Sequence, residues 1–123
     1  KLGITVFVTG SMPEEEYQKL LIDQAIMECM TNCARHAGGT RVFVKITNNK
    51  MFCKVQITNN GKKPAEGSQE GGGLTSLRKT VEREGGKMQV IFSPEFELIL
   101  LLSHEKDREI KSSEEVTVKI LNS

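Results

Sequence analysis

Residues Tyr17 to Gly39 read YQKLLIDQAIMECMTNCARHAGG, and two patterns run through them at once. Leu21, Ile22, Ala25, Ile26, Cys29, Met30 and Cys33 recur at three- and four-residue steps, the spacing of one helix face, and Gly38-Gly39 supplies the stop. Beside that apolar stripe, Gln24, Glu28, Asn32 and Arg35 follow at steps of four, four and three, with His36 next to the last. A carboxylate, an amide and a cation along one edge suit a metal-bound phosphate: Glu28 to take a proton, Asn32 to give Mg²⁺ an oxygen, Arg35 or His36 to face phosphate charge. On spacing alone, the commoner explanation is a solvated helix face.

Outward from this helix the elements are short. Ile4 to Thr9 alternates as a strand, and Ser11 with Pro13 stands where a helix cap and first turn belong, ahead of Glu14, Glu15 and Glu16. Arg41 to Thr47 and Met51 to Thr58 flank Asn48-Asn49-Lys50 and read as an antiparallel hairpin. From Asn59 to Gly73 apolar character is nearly lost, which predicts an exposed loop. Leu74, Leu77 and Val81 predict a second helix to about Glu84, closed by Gly85-Gly86. Lys87 to Phe92 and Glu95 to Leu102 form another hairpin over Ser93-Pro94. Strands arriving mainly as antiparallel pairs, with two helices to cover them, give an α+β class: a two-layer sandwich with a mixed, mostly antiparallel sheet and helices on one face.

Composition narrows the possibilities. At 123 residues and 37% hydrophobic content the chain fits one core, and 17 basic against 16 acidic residues give a formal net charge of +1, without the basic field that draws in nucleic acid. The longest apolar run, Phe96 to Leu102 broken by Glu97, is too short to cross a bilayer. Three cysteines, Cys29, Cys33 and Cys53, suggest no disulfide framework and favour a reducing compartment. The opening at Lys1, with a strand almost at once, reads as a piece of a longer polypeptide. Residues 103–123 form an extension of uncertain structure after a domain at 1–102, with Val116 to Leu121 alternating like one more strand.

Two further features carry chemistry. Gly71-Gly72-Gly73 precedes a helix, where glycines let backbone approach a phosphate and free N–H groups favour anions; a flexible hinge would look the same, and no Lys-Ser or Lys-Thr follows to make a Walker loop. Asn59-Asn60-Gly61 ends a strand and by itself reads as a turn.

Taken in order, these three features resemble the nucleotide-binding boxes of the bacterial sensor histidine kinases, in the superfamily that also holds gyrase, Hsp90-type chaperones and mismatch-repair ATPases. Glu28 to Ala37 looks like the N-box, Asn59-Asn60-Gly61 falls at the Asp-x-Gly box, and Gly71 to Leu74 with Leu77-Arg78, Val81-Glu82 and Gly85-Gly86 resembles the second glycine box. The likeness covers about residues 1–102 and is nearest the subfamily paired with helix-turn-helix response regulators.

The resemblance implies a Bergerat-type ATP-binding fold with ATP and Mg²⁺ as cofactors. Asn32 would bind Mg²⁺, and Glu28 would be the acid–base residue beside it. Arg35 and His36 would lie near the phosphates, with Gly71, Gly72, Gly73, Leu74 and Thr75 around them, under a lid over Lys62 to Glu70. Gly61 would let adenine approach. The γ-phosphate would pass to a histidine of a separate dimerisation domain, neither His36 nor His104, and onward to a response regulator. The whole protein would be a cytoplasmic homodimer, membrane-anchored only through segments outside this chain. Two positions depart from the pattern: the adenine-reading Asp is Asn59, and a second glycine of its box is Lys63, which could reach the phosphates or block the pocket. Loss of the carboxylate predicts ATP binding weakened by about tenfold. The alternatives are a degenerate domain acting by nucleotide binding or protein contact alone, an anti-sigma-factor serine kinase, or a binding domain without nucleotide.

Overall fold

The computed structural model describes residues 3–104. The chain runs β1 (Thr5–Thr9), α1 (Glu16–Asn32) continuing into a π-helical turn (Cys33–Ala37), β2 (Arg41–Asn48), β3 (Phe52–Asn59), α2 (Gly72–Arg83), β4 (Lys87–Ile91) and β5 (Glu97–Ser103). One five-stranded sheet has the order β1-β2-β3-β5-β4. β1 lies parallel to β2 and every other pair is antiparallel. The parallel pair requires a crossover, which α1 provides, whereas β2–β3 needs only a tight turn. That turn is held by Asn49, whose Oδ1 accepts from the N–H groups of Met51 and Phe52 at 2.7 and 2.9 Å.

A two-layer α+β sandwich results, because every second residue of the inner strands points to the helices. Val42, Val44 and Ile46 on β2, Val55 and Ile57 on β3, and Leu98, Leu100 and Leu102 on β5 are all buried. Their register makes continuous rows: Ile57 pairs with Val44 on one side and Leu98 on the other, and Val55 with Ile46 and Leu100. Against these rows α1 presents Leu21, Ile22, Ala25, Cys29 and Cys33, and α2 presents Leu74, Leu77 and Val81. Phe7 and Phe43 stack at 5.5 Å on the opposite face of the sheet.

Several boundaries differ from those the sequence predicts. Helix α1 starts at Glu16, not near Pro13, and no side chain caps it. Ser11 instead holds the exit of β1, its carbonyl accepting from Asn48 Nδ2 at 2.7 Å, which ties the segment to β2 and delays the helix. Helix α2 starts two residues earlier than the apolar stripe suggests, at Gly72. Gly38, in the left-handed region, ends the first helical segment as expected. β5 reaches Ser103, and His104 N–H donates to the Met51 carbonyl at 3.1 Å. The strand expected over Val116 to Leu121 lies outside the described residues.

All three cysteines are free and buried. Burial pushes the Cys29 thiol up to about 12, Glu28 adding to the effect, and the Cys53 thiol up to about 11. Cys33 is also raised, by burial. The folded chain thus holds these protons more tightly than the unfolded one, so their contribution to stability is complete below the ordinary pKa of 9.0 and is lost as pH climbs toward about 12. A thiol reagent at neutral pH is expected to label none of the three until denaturant is added; rapid labelling of the native chain would contradict this burial. Ile57→Ala should cost about 2–5 kcal/mol in urea unfolding, while Leu20→Ala, on the exposed side of α1, should stay within about 0.5 kcal/mol. Equal losses would mean the helix is rotated from this position.

Candidate functional site

The alternation that builds the core also aims Asn59. Counting by twos along β3, Cys53, Val55 and Ile57 face the helices, and Asn59, paired with Val42, is the next residue of that row. It is the polar end of an apolar row. There it lines a cavity of about 500 Å³ together with Asn32, His36, Ala37, Lys62, Lys63, Pro64, Gly71, Leu74, Phe92 and Phe96. Ala65, Ser68 and Gln69 complete the wall formed by the β3–α2 connection. Residues from the end of the first helix, the end of β3 and the start of α2 are thus brought to one space.

Two close approaches hold these ends together. Gly61 lies so near the π-helical turn that a Cβ there would overlap the Ala37 methyl and stand 2.8 Å from the Ala37 carbonyl oxygen. Lys62 N–H donates to that same carbonyl at 2.8 Å. Asn60 braces the other side: its Oδ1 accepts from the N–H groups of Thr40 and Arg41 at 2.9 and 2.8 Å, and its Nδ2 donates to Thr40 Oγ1 at 3.2 Å. Asn59 Oδ1 accepts from Gly61 N–H at 2.7 Å. The turn is therefore built by both asparagine side chains, in the manner of Asx turns.

The predicted residues divide. Asn32, His36, Asn59, Lys63, Gly71 and Leu74 line the cavity. Glu28 does not; it lines an adjoining, more open groove between α1 and α2, with Gly73 on the opposite wall. Its carboxylate occupies the space a Cβ of Gly73 would need, so the two are in direct apposition at the first turn of α2. Gly71 is open, with nothing within 4 Å of where a Cβ would stand. Thr75 N–H bonds back to the Gly71 carbonyl at 3.0 Å, and Gly72 is the first residue of the helix. Neither Gly72 nor Thr75 lines the cavity, and Gly61 supports it from behind.

Arg35 is exposed and absent from the cavity wall. Its expected place next to Asn32 assumes an α-helical wheel, but residues 33–37 are wound as a π-turn, whose wider i→i+5 bonding re-aims each side chain after Asn32.

Sequence reasoning missed Phe92 and Phe96, which meet edge-to-face at 5.9 Å and line the cavity. Two aromatics bracketing the Ser93-Pro94 turn were the available signal. It also missed the anchor of the loop: Glu70 accepts from Arg78 Nε at 2.9 Å and from its Nη2, and Arg78 Nη1 donates to the Met88 carbonyl. The end of the β3–α2 connection is thereby fixed to α2 and β4. Among the described residues no cluster of three or more His, Cys, Asp or Glu is placed to hold a metal, so a divalent cation here would depend on neutral oxygens and on a ligand's own charge.

An α+β sandwich with a mainly apolar cleft beside the first turn of a helix is also found in other proteins. Solved structures with this fold include the ATP binding domain of PrrB from Mycobacterium tuberculosis, at a TM-score of 0.59 and 23% identity over 82% of this chain and 80% of that one. Others are the blue-light activated histidine kinase of Erythrobacter litoralis, with 0.60 and 19% over 81% and 35%, and the Acinetobacter baumannii histidine kinase AdeS, with 0.61 and 14% over 80% and 52%. The fold is that of the histidine-kinase ATP-binding domains, the Bergerat fold. The chain spans most of the PrrB domain but only about a third to a half of the two longer kinases. No protein-family model and no curated protein sequence matches it.

The glycine contacts predict opposite outcomes at two positions. Gly61→Ala places a methyl against the Ala37 backbone and should lower stability by about 1–3 kcal/mol. Gly73→Ala meets only the mobile end of Glu28 and sits in a helix, where Ala is favoured over Gly by about 1 kcal/mol, so its melting temperature should hold or rise. Thermal unfolding of both variants decides; a severe loss at Gly73 would disprove this placement of Glu28.

Proposed function

We propose that this chain is the ATP-binding catalytic domain of a two-component sensor histidine kinase. The observation that carries the reading is the convergence of Asn32 and His36 with Gly71 and Leu74, 35 to 42 residues further along the chain, on one cavity of about 500 Å³, a volume typical of small-ligand sites. The domain runs through Ser103, the last residue of β5, one residue past the boundary at 102 expected from the sequence.

The cavity chemistry fits a magnesium-bound nucleoside triphosphate. Phe92, Phe96, Ala37, Pro64 and Leu74 give apolar area for a base. Gly71, with open space where a Cβ would be, leaves the first backbone N–H groups of α2 accessible to anions. Asn32 offers a neutral carbonyl oxygen suited to Mg²⁺, and Lys62, Lys63 and His36 stand in the same wall to face phosphate charge. A bound Mg-ATP would supply the transferable phosphoryl group. The chain's own residues would position and neutralise: Asn32 would hold the cation, the start of α2 the phosphate oxygens, and Glu28, whose carboxylate lies against Gly73, would hold a proton beside that helix start.

The acceptor would be a histidine on a dimerisation domain outside this chain, and the relay would continue to a response regulator, in a cytoplasmic homodimer. A second reading, a degenerate domain that binds nucleotide without transferring phosphate, is favoured by one observation: Asn59 brings an amide where a carboxylate is expected.

Calorimetric titration with ATP, with and without Mg²⁺, tests the site. The wild-type chain should bind more tightly with Mg²⁺, and Asn32→Ala should lose that gain, about tenfold or more, while keeping the magnesium-independent part. If both proteins respond to Mg²⁺ alike, Asn32 is not the ligand.

A further inference from the structure

We propose that Asn59 turns the base preference of this cavity toward purines with a 6-oxo group, so that inosine and guanosine triphosphates bind at least as well as ATP. The inference rests on the nucleotide-binding reading above and specifies its ligand.

The geometry starts from one hydrogen bond. Asn59 Oδ1 accepts from Gly61 N–H at 2.7 Å, and this fixes which end of the amide is which. Rotated by half a turn, the NH₂ would face the Gly61 N–H, donor against donor, and the tight turn onto Ala37 would lose its brace. The amide therefore keeps its oxygen on the backbone. Its Nδ2, with two N–H donors, is the end left for the cavity that Asn59 lines.

The surroundings make this donor selective. Asn60 is engaged at both ends with Thr40 and Arg41 and offers nothing to a ligand. Gly61 and Ala37 press against each other beside the amide, and Ala37, Phe92 and Phe96 add apolar wall to the same cavity. The backbone N–H groups at the start of α2 suit phosphate oxygens, and Asn59, on β3 beside the apolar Ala37, is left for the base. A 6-oxo purine brings a carbonyl acceptor to the Nδ2 donors. A 6-amino purine brings a third donor. Adenine must give its ring N1 to Nδ2 and its amino group to the remaining lone pair of the Oδ1 that already holds the Gly61 N–H, whereas a 6-oxo purine needs only the Nδ2 donors. Sites built around one hydrogen-bonding polarity discriminate against the opposite one strongly, because the mismatched groups lose their solvent partners. A carboxylate at this position could accept from Gly61 with one oxygen and present a second acceptor, the reverse polarity.

Calorimetry with the magnesium complexes of ATP, inosine triphosphate and guanosine triphosphate, on the natural chain and on Asn59→Asp, tests this. Inosine triphosphate differs from ATP only around the 6-position, so the natural chain alone decides the question even if the variant misfolds. The expected result is inosine triphosphate binding equal to or up to about tenfold tighter than ATP in the natural chain, reversed to ATP tighter by about tenfold in Asn59→Asp. Binding of ATP threefold or more tighter than inosine triphosphate by the natural chain overturns the inference while leaving a nucleotide site in place. A ratio unchanged by the substitution overturns it equally. Failure of all three triphosphates to bind either protein removes the underlying reading as well.

Discussion

Helix α1 lies on the sheet through Leu21, Ile22, Ala25, Cys29 and Cys33, and that seam fixes its rotation. The polar residues that the first helix brings to the cleft follow from it. With the seam against Val42, Val44, Val55 and Ile57, the edge carrying Glu28 and Asn32 turns toward α2, because residues one helical step aside from a buried stripe stand at its border. Small thiols at Cys29 and Cys33, both fully buried, let the last turns of the helix sit close to the sheet. Larger side chains there would lift the helix and with it Asn32 and His36 from the cavity. Core packing and ligand geometry are in this sense a single constraint.

The second constraint is the join between the helix end and β3. Ala37 and Gly61 touch, Lys62 is bonded to the Ala37 carbonyl, and Asn60 ties the end of β3 to the beginning of β2. These bonds satisfy backbone groups that the π-turn and the strand end would otherwise leave open. They also fix the distance between Asn32 on one element and Asn59 on another. The opposite side of the cavity is held more loosely, through the Glu70–Arg78 pair at the end of an otherwise exposed connection. The two walls of the cavity are thus held by different means, one by backbone hydrogen bonds and close packing, the other by a side-chain ion pair.

How much of this was legible in the sequence depended on whether a residue's position follows from periodicity. The five strands and two helices did, because Val55, Ile57, Leu98 and Leu100 alternate and Leu74, Leu77 and Val81 step by helical turns. So did the convergence of Asn32, Asn59 and Gly71, once their order was compared with the boxes of a known superfamily. What periodicity could not give were departures from regular geometry. Arg35, in the π-turn, does not line the cavity whereas His36 does, and nothing in CARHA distinguishes a π-turn from a last turn of α-helix. The start of α1 moved to Glu16 because Ser11 is held by Asn48, a contact thirty-seven residues apart in sequence. Phe92 and Phe96 read as strand residues; only the fold of the β4–β5 connection turns them into a cavity wall.

Position 59 then separates two tasks that one side chain performs. The first is structural: an oxygen must accept the Gly61 N–H so that the turn can press onto Ala37, and either a carboxylate or an amide supplies that oxygen. The second, on the proposed nucleotide reading, is recognition, which would depend on the atom pointing the other way, and there the two groups differ in kind, acceptor against donor. Because the structural task constrains only one of the two terminal atoms, Asp and Asn serve the turn alike and differ in the atom that the turn leaves unused. Lys63 obeys the same division, since it adds a cation to a wall that the fold leaves exposed and therefore free to vary without cost to the core. The frame of the site is thus set by residues that touch other protein atoms, while its ligand chemistry rests on the few atoms that the frame leaves unconstrained.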